Sequence, residues 1–394
     1  MITICFVFYG ACMAVIISMQ NKYVSIPMSI KGGADDTDEK SDIYYAPRDA
    51  PKLSDESEYK KVIAYFEERY PVFVKWGAAM AAGGKSENLE HFFTNYSKER
   101  TTFMNIPLSI MHDYILYGRE IGDAFDFQTK LNGVHFFDIG FAPGGMSYYM
   151  LKYCNATGDA LTLAAEKGDN PVSNEIKYFV NKGEFQFKYI DLFDLSVGEL
   201  LDISKIGFTP PYKFVIFDAS QHNAEHDAYV LNEMQILMAL SMLQDGGAIL
   251  MRLNMDIVGG ARKLCFLLDY FQNIRGFKPS VKFAYKKTYY IFAQDFVASA
   301  FEELRDSFRI YDEFPKDYLF GVNINSEEVI RKSSKIMKIW RGPMKKHASI
   351  LNQIINGKKL GYISKRPNAP KNEGEMVTEF KKALKRYNVK LVKK

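Results

Sequence analysis

The stretch FFDIGFAPGGMSYY, residues 136–149, decides the predicted fold. An apolar run ends in Asp138-Ile139-Gly140, a Pro-Gly-Gly turn follows at 143–145, and a helical pattern then begins. Glycine lets a backbone approach a ligand closely or adopt positive φ. A strand that ends in an acid and leads through glycines into a helix N-terminus is typical of sites that hold a nucleoside cofactor.

Around this stretch the apolar pattern alternates between strands and helices. We expect strands at 134–138, 160–165, 185–190, 213–218, 247–253, 279–284 and 288–295. We expect helices at 145–154, 173–181, 227–243 and 258–274. Strands that are apolar on both faces, with helical crossovers, predict a Rossmann-like α/β fold. Its sheet should be mostly parallel with helices on both faces, and the last two strands, joined by a tight turn, should form an antiparallel pair.

The rest of the chain divides by composition and periodicity. We expect an apolar segment at 1–20, a linker at 21–56, a helical extension at 57–130, the α/β core at 131–296 and a helical, basic C-terminal extension at 297–394. Within the first extension, breaks are expected at Pro107 and Gly118.

Residues 2–18 are uncharged and mostly apolar. Their length is short for a membrane span, no basic region precedes them, and no clear signal-peptide cleavage site follows. Three interpretations stay open: a signal anchor with membrane contact, a buried helix or strand, and a start of translation assigned too early.

The net charge of +4 hides an uneven distribution. Residues 331–394 hold 19 Lys and Arg against 3 Asp and Glu, whereas the remainder holds 32 basic and 44 acidic residues. A basic tail favours polyanions, and RNA or an acidic membrane surface are the usual partners. The alternative is a solvated charged helix without a partner. The four cysteines contain no CxxC pair, so no zinc ribbon or redox pair is indicated.

Candidate ligand-binding residues lie at the predicted strand ends, because ligands of open α/β sheets bind outside the carboxyl ends of the strands. Besides Asp138, these are Glu166 for ribose hydroxyls and Asp191, with Asp194 as a competitor, for an adenine amino group. Asp218 ends an apolar strand, where an unpaired carboxylate would be costly, so it should face a ligand.

The pattern D-x-G-x-x-P-G-G at 138–145 resembles motif I of the FtsJ-like RNA ribose 2′-O-methyltransferases, which depend on S-adenosylmethionine (SAM). The resemblance covers Leu131 to Phe296, and fungal FtsJ-like proteins of unknown role look most similar. It includes the Gly-Gly strand that ends near Arg252, the pair Lys278-Pro279, and a final strand that begins at Thr288.

This resemblance implies a class I methyltransferase fold, SAM as cofactor and RNA as substrate. For the cofactor it implies that Pro143, Gly144 and Gly145 shape a pocket for the methionine end and the ribose. The full set of cofactor-binding candidates is Asp138, Gly140, Pro143, Gly144, Gly145, Glu166, Asp191 and Asp218. The family's catalytic tetrad is Lys-Asp-Lys-Glu.

Matched onto this sequence, the tetrad aspartate is Asp218, the second lysine falls on Arg252 and the glutamate on Thr288. Arg119 is nearest in spacing to the first lysine. Arginine cannot act as a base, because its guanidinium stays protonated, but it can stabilise developing negative charge. Alternatively, Arg252 joins two strand ends through an ion pair with Asp218.

These departures leave three functions open: RNA ribose 2′-O-methylation with Asp218, Arg252 and Thr288 at the reacting centre, a catalytically impaired relative that binds SAM or RNA, and a small-molecule O-methyltransferase. His222 and His226 lack a third ligand, so no metal site is expected, although His222 is a candidate for substrate contact. In the basic tail, the aromatics Trp340, Tyr362 and Tyr387 either stack on RNA or anchor helices to their own domain.

Overall fold

The computed structural model describes residues 56–89, 107–167, 171–219, 228–280, 284–315 and 324–357. The apolar segment 1–20, nearly all of the linker 21–56 and the tail after residue 357 lie outside these ranges, as do His222, His226, Tyr362 and Tyr387.

A seven-stranded mixed sheet forms the centre of the protein, in the order β3-β2-β1-β4-β5-β7-β6. The strands are β1 His135–Ile139, β2 Thr157–Thr162, β3 Phe185–Tyr189, β4 Tyr212–Phe217, β5 Leu243–Asn254, β6 Phe271–Phe277 and β7 Thr288–Phe296. Strands β1 to β5 pair in parallel, whereas β7 is antiparallel to both β5 and β6. The predicted Rossmann-like class I methyltransferase sheet is therefore confirmed.

Helices cover both faces of this sheet. In chain order the described α-helices are α1 Glu56–Arg69, α2 Pro71–Gly84, α3 Pro107–Phe125, α4 Phe127–Lys130, α5 Gly145–Tyr153, α6 Asn174–Asn181, α7 Val197–Leu201, α8 Ala228–Met242, α9 Arg262–Tyr270, α10 Ala298–Phe308, α11 Ser326–Arg331 and α12 Ser333–Ile355.

Two apolar cores lie on opposite faces, because successive strand residues point to opposite sides. One core packs α3, α4, α5 and α6 against residues such as Phe136, Phe214 and Tyr290. The other packs α7, α8, α9 and the terminal helices against residues such as Phe137 and Tyr289.

The N-terminal and C-terminal helices meet on this second face. The indole Nε1 of Trp340 on α12 donates to the Tyr289 hydroxyl at 2.8 Å, and the indole Nε1 of Trp76 on α2 donates to Nδ1 of His347 at 3.0 Å. Trp340 is fully buried. It therefore anchors α12 to its own domain and is not available to stack on RNA.

The last two crossovers differ from the sequence prediction. The helix predicted at 258–274 begins instead as a π-helical turn, Ile257–Ala261, and α9 ends at Tyr270. The next strand is β6 at Phe271–Phe277, not 279–284, and its described connection to β7 is a loop. Leu264, Leu267, Phe271 and Ile274 have helical spacing, but pairing with β7 draws the second half of this run into the sheet.

Two smaller boundaries also differ. Strand β2 begins at Thr157 and ends at Thr162, three residues earlier than predicted at both ends, so Glu166 follows it in a short 3₁₀ turn. Helix α3 continues through Gly118, because that glycine packs against Met146 of α5, where a side chain would not fit easily. No described helix has the length and apolarity required to cross a bilayer.

Candidate functional site

The carboxyl ends of the parallel strands meet along one edge of the sheet. Ile139, at the end of β1, pairs in register with Phe217, at the end of β4, and the backbone N–H of Asp218 lies 3.5 Å from the carbonyl oxygen of Ile139. Asp218 is therefore beside the glycine loop that follows β1, as expected from the position of both strands at the centre of the sheet.

Asp138 lies on β1 and is buried, with 3% of its surface exposed. Its Oδ2 accepts a hydrogen bond from the Ser147 hydroxyl at 2.5 Å, and Ser147 lies in the first turn of α5. Burial raises the pKa of the Asp138 carboxyl to about 7, the Ser147 hydrogen bond opposes this rise, and the charge of Asp218 adds to it.

Gly140 allows the β1 loop to touch the end of β4. Its φ is +76°, and a Cβ at this position would clash with Ala219, lying 2.7 Å from the Ala219 Cα. A larger residue would therefore push the loop away from the Asp218 strand end. Gly144 and Gly145 serve similar close packing, against Ile176 of α6 and Tyr114 of α3 respectively. The buried Pro143 accepts a hydrogen bond from the backbone of Ser173, just before α6.

Asp218 is held by side chains from both neighbouring strands. Its Oδ1 lies 2.7 Å from Nε of Arg252 on β5, and its Oδ2 accepts a hydrogen bond from the Tyr290 hydroxyl of β7 at 2.7 Å. The Asp218 and Arg252 side chains keep 17% and 22% of their surface exposed, so the pair is partly accessible to solvent. The predicted ion pair between two strand ends is present.

Electrostatics keep Arg252 charged. Burial lowers the pKa of its guanidinium, but the Asp218 carboxylate and then nearby tyrosines raise it more, so the net pKa is above the ordinary value. Arg252 can donate hydrogen bonds and stabilise negative charge, but it cannot accept a proton.

Thr288 occupies the next rung of the same strand pair. Arg252 lies opposite Tyr290 in the ladder, and Asn254 lies opposite Thr288, so these side chains share one face. The Thr288 hydroxyl donates to Oδ1 of Asn254 at 3.1 Å. A polar, uncharged pair thus lies at the position to which the resemblance assigns the family glutamate.

Helix α3 carries Arg119 on one face and, on another face, a residue that packs against a partner of Asp218. Nε of Arg119 lies 3.7 Å from Oδ2 of Asp123 on its own helix. Tyr117 is two residues away on α3, hence on a different face, and its ring stacks on Tyr290 at 5.8 Å between centroids. Tyr117, rather than the arginine nearest in spacing, is therefore the α3 residue shown here to pack on Tyr290, which hydrogen-bonds Asp218.

A buried glutamine fixes the backbone after Asp218. Oε1 of Gln235 on α8 accepts from the Ala219 N–H at 3.0 Å, and its Nε2 donates to the Ala219 carbonyl at 3.2 Å. This two-way contact orients the turn that follows β4. Gln235 and Ala219 are 16 residues apart in sequence, and their contact depends on how α8 packs against β4, so the sequence alone does not predict it.

The two outer acids lie at the ends of β2 and β3. Glu166 is exposed, and Asp191 is partly buried with its Oδ1 accepting from the Phe193 N–H at 3.1 Å. Nζ of Lys167 lies 4.0 Å from Asp191 and 3.4 Å from Asp194. Lys167 thus links the β2 and β3 loops, a role that the sequence analysis did not anticipate. No metal-binding cluster occurs among the side chains that the structure describes.

These donor and acceptor groups suit the parts of SAM. Carboxylates attract its ammonium and sulfonium charges, and Asp138 is the buried carboxylate at the glycine loop. Glu166 and Asp191 offer acceptors for ribose hydroxyls and an adenine amino group, further along the same edge. The side chains present therefore fit the cofactor.

Comparison with known proteins adds a family. Residues 119–296 match the family model described as FtsJ-like methyltransferase. Comparison with curated proteins finds no match.

Solved structures show a partial likeness. A putative ribosomal RNA methyltransferase from Plasmodium falciparum is 15% identical, with 45% of this chain and 93% of that chain covered and a TM-score of 0.32. Human methyltransferase-like protein 13 in complex with SAH is 13% identical, with 53% of this chain and 96% of that chain covered and a TM-score of 0.31. An rRNA methylase from Streptococcus thermophilus is 10% identical, with 45% of this chain and 96% of that chain covered and a TM-score of 0.31.

The family assignment rests on the matched sequence model together with the strand order and the glycine loop. The match spans β1 to β7 and the helix residues just before them. FtsJ-like methyltransferases use SAM, in agreement with the predicted cofactor. Residues 119–296 of this chain are an FtsJ-like, SAM-dependent methyltransferase domain.

Proposed function

We propose that the protein transfers a methyl group from SAM to a ribose 2′-hydroxyl of RNA. The observation that carries this proposal is the Asp218–Arg252 pair. It lies at the carboxyl ends of β4 and β5, beside the glycine loop that follows β1. A carboxylate and a permanently charged guanidinium side by side suit a hydroxyl that loses its proton while it is attacked.

The chain's own residues would divide the work as follows. Asp138 and the glycine loop, with Glu166 and Asp191, would hold SAM, which supplies an activated methyl group on its sulfonium. Arg252 and Tyr290 hold the two oxygens of Asp218, so this carboxylate has a fixed orientation toward the incoming hydroxyl.

In the transfer itself, the carbon–sulfur bond of SAM would break as the carbon–oxygen bond formed, and the hydroxyl proton would pass to the Asp218 carboxylate and from it to water. We assign Asp218 to accepting that hydroxyl's hydrogen bond and Arg252 to stabilising the negative charge that develops on the oxygen. Thr288 and Asn254 would contact the ribose as neutral hydrogen-bonding groups. Much of the rate would then come from positioning.

A basic surface suits RNA as the substrate. Lys335, Lys338, Arg341 and Lys345 are exposed and follow one another at three- or four-residue spacing on α12, so they form a stripe about 15 Å long. This α12 stripe lies within the basic C-terminal extension, 297–394. We propose that it contacts RNA phosphates, with 131–296 as the catalytic core and 57–130 and 297–394 as its flanking extensions.

A methyl-transfer assay tests this proposal. The protein is incubated with tritiated SAM and a mixed RNA pool, and digested product is analysed for 2′-O-methylnucleosides. We expect labelled 2′-O-methylribose with the wild type and a loss of about 100-fold or more for Asp218→Asn. Label on a base instead of the ribose, or equal activity in both proteins, would overturn the assignment.

A non-catalytic SAM- and RNA-binding relative is the second candidate. It is favoured by the guanidinium at 252 and by the uncharged Thr288–Asn254 pair. It predicts SAM binding and salt-sensitive RNA binding without transfer at any pH between about 7 and 9.

A further inference from the structure

Tyr114 lies between the cofactor loop and the reacting centre. Its Cβ occupies the space that a side chain at Gly145 would need, at the N-terminus of α5. Its ring meets Tyr117 edge-on at 5.1 Å between centroids, and Tyr117 in turn stacks on Tyr290, which donates to Asp218. Three tyrosines thus lead from the glycine loop to the catalytic pair.

The position of Tyr114 is set by close packing of α3 on α5. Residues 114, 118 and 122 lie at four-residue spacing on one face of α3, and the last two are glycines. Gly118 packs against Met146, and Gly122 packs against the Tyr149 ring. Tyr114 is the large residue at the end of this seam, and it is partly exposed where Tyr117 and Tyr290 are buried.

The inner tyrosines serve as a fixed base for this ring. Burial raises the pKa of Tyr117 and of Tyr290 well above the ordinary value, so both remain neutral hydroxyls at physiological pH. Arg252 is within electrostatic range of Tyr114 as well as of Tyr290. The half-buried Tyr114 ring is therefore the outer member of a chain of contacts that runs through Tyr117 and Tyr290 to Asp218.

We infer that Tyr114 stacks on the nucleobase of the target nucleotide and thereby holds its ribose against Asp218. The inference rests on the proposed function and names a specificity-determining residue for it. Aromatic stacking accepts any base but rejects a substrate without a flat ring. Tyr114 would thus select a nucleotide whose base is unpaired and free to reach this ring.

The test compares Tyr114→Phe, which keeps the ring, with Tyr114→Leu, which removes it while preserving the carbon atoms nearest Gly145. Tyr311→Leu is the matched control, because Tyr311 is exposed on the loop after α10. The readouts are the calorimetric Kd for S-adenosylhomocysteine (SAH), and KM and kcat for single-stranded RNA in the transfer assay.

We expect Tyr114→Leu to lower kcat/KM for RNA by about 5- to 100-fold, mainly through KM. Its SAH affinity should equal that of the wild type, and Tyr114→Phe and Tyr311→Leu should retain RNA methylation. An unchanged kcat/KM in Tyr114→Leu, or an equal loss in the Phe and Leu variants, would overturn the stacking role. Wild-type protein that binds SAH but methylates no RNA would contradict the proposed function, whatever the variants do.

Discussion

The resemblance assigns Arg252 to the position of a family lysine, and arginine and lysine differ in whether they can lose a proton. In this structure the Arg252 guanidinium is paired with Asp218 and has a raised pKa, so it donates hydrogen bonds at every pH of interest. A lysine here, partly buried between strands, would have a pKa that responds to its surroundings.

Arg252→Lys should therefore change the pH profile of methyl transfer. In the wild type, residue 252 should not make the rate rise with pH, because its guanidinium stays protonated. In the lysine variant, the rate should rise as the pH approaches the pKa of the amine, because the neutral amine can act as a base. The measurement is kcat for RNA methylation between about pH 6 and 10. Arg252→Gln should lose activity across the range, and identical profiles in the wild type and lysine variant would contradict this role.

Asp138 gives a second prediction, because its pKa of about 7 places its charge change near physiological pH. The unfolded carboxyl ionises near pH 4, so the folded protein retains a proton that the unfolded chain loses between about pH 4 and 7. This single group therefore makes the free protein less stable as pH rises through that window.

Binding of SAM should follow the opposite trend, because the SAM ammonium prefers the ionised carboxylate. The ionised fraction rises about tenfold between pH 6 and 8, so SAM affinity should rise by about tenfold over this interval. Calorimetry at both pH values measures the change. Asp138→Asn should bind weakly and lose most of the pH dependence, whereas an affinity that falls with pH would refute the assignment.

The sequence predicts the site residues that end strands and misses those brought together by packing. Asp138 and Asp218 each follow an apolar run, and their shared edge is a consequence of parallel pairing. Tyr114, Tyr290 and Gln235 come from elements whose contacts depend on how helices seat against the sheet. Tyr290 lies in the final strand of the family resemblance, which begins at Thr288, and this position is the sequence feature that could have identified it.

At the scale of elements, the contact between α12 and β6 depends on one glycine. Pro343 lies within α12 and has no N–H, so the carbonyl of Ile339, four residues earlier, lacks its usual helical donor. This carbonyl faces Gly276 of β6, where a Cβ would lie 2.5 Å from the oxygen. The glycine lets helix and strand approach at the point where the proline interrupts the helical hydrogen bonds.

Gly276→Ala should therefore destabilise the fold by about 1–3 kcal/mol, because the added methyl group meets rigid backbone. The control is Gly198→Ala in α7, where the added Cβ would lie 3.1 Å from the flexible ammonium end of Lys205 and 3.9 Å from the Ser196 hydroxyl. That change should leave the free energy of unfolding unchanged or raise it by up to about 1 kcal/mol. Chemical denaturation measures both, and an equal effect of the two substitutions would contradict the packing argument.

Element prediction succeeds where strand and helix periodicity differ and fails where they coincide. The strands predicted for β1, β3, β4 and β7 lie within one residue of their observed bounds. The run from Leu264 to Ile274 fits a helix as a sequence, yet its second half pairs with β7. The second half becomes a strand because it pairs with β7, a contact that the local spacing of apolar residues cannot show.

At the scale of the whole molecule, the charge distribution and the terminal helices act together. Helix α12 buries Trp340 and His347 against the core and presents Lys335, Lys338, Arg341 and Lys345 outward. Helix α12 thereby joins this part of the basic C-terminal region to the FtsJ-like domain. Charge counting predicts the basic region, but burial alone separates its anchoring residues from its exposed ones.

The α12 stripe predicts a specific salt dependence of RNA binding. Neutralising two phosphate contacts with Lys338→Gln and Arg341→Gln should reduce the slope of log K against log salt by about 1.4 for single-stranded RNA. Fluorescence anisotropy across a salt series measures the slope. A double control, Lys177→Gln with Lys182→Gln, removes equal charge at α6 on the opposite face of the sheet. The same reduction in both doubles would show that only net charge matters.

The central claim is that the glycine loop after β1 holds SAM beside Asp218, and direct titration of SAH into the full chain tests it. The account predicts one site per chain, with affinity strongly reduced in Asp138→Ala and retained in Asp159→Asn, whose carboxylate binds His135 and Tyr212 at the other end of the sheet. Absence of any binding heat, or equal binding to the wild type and Asp138→Ala, would contradict it.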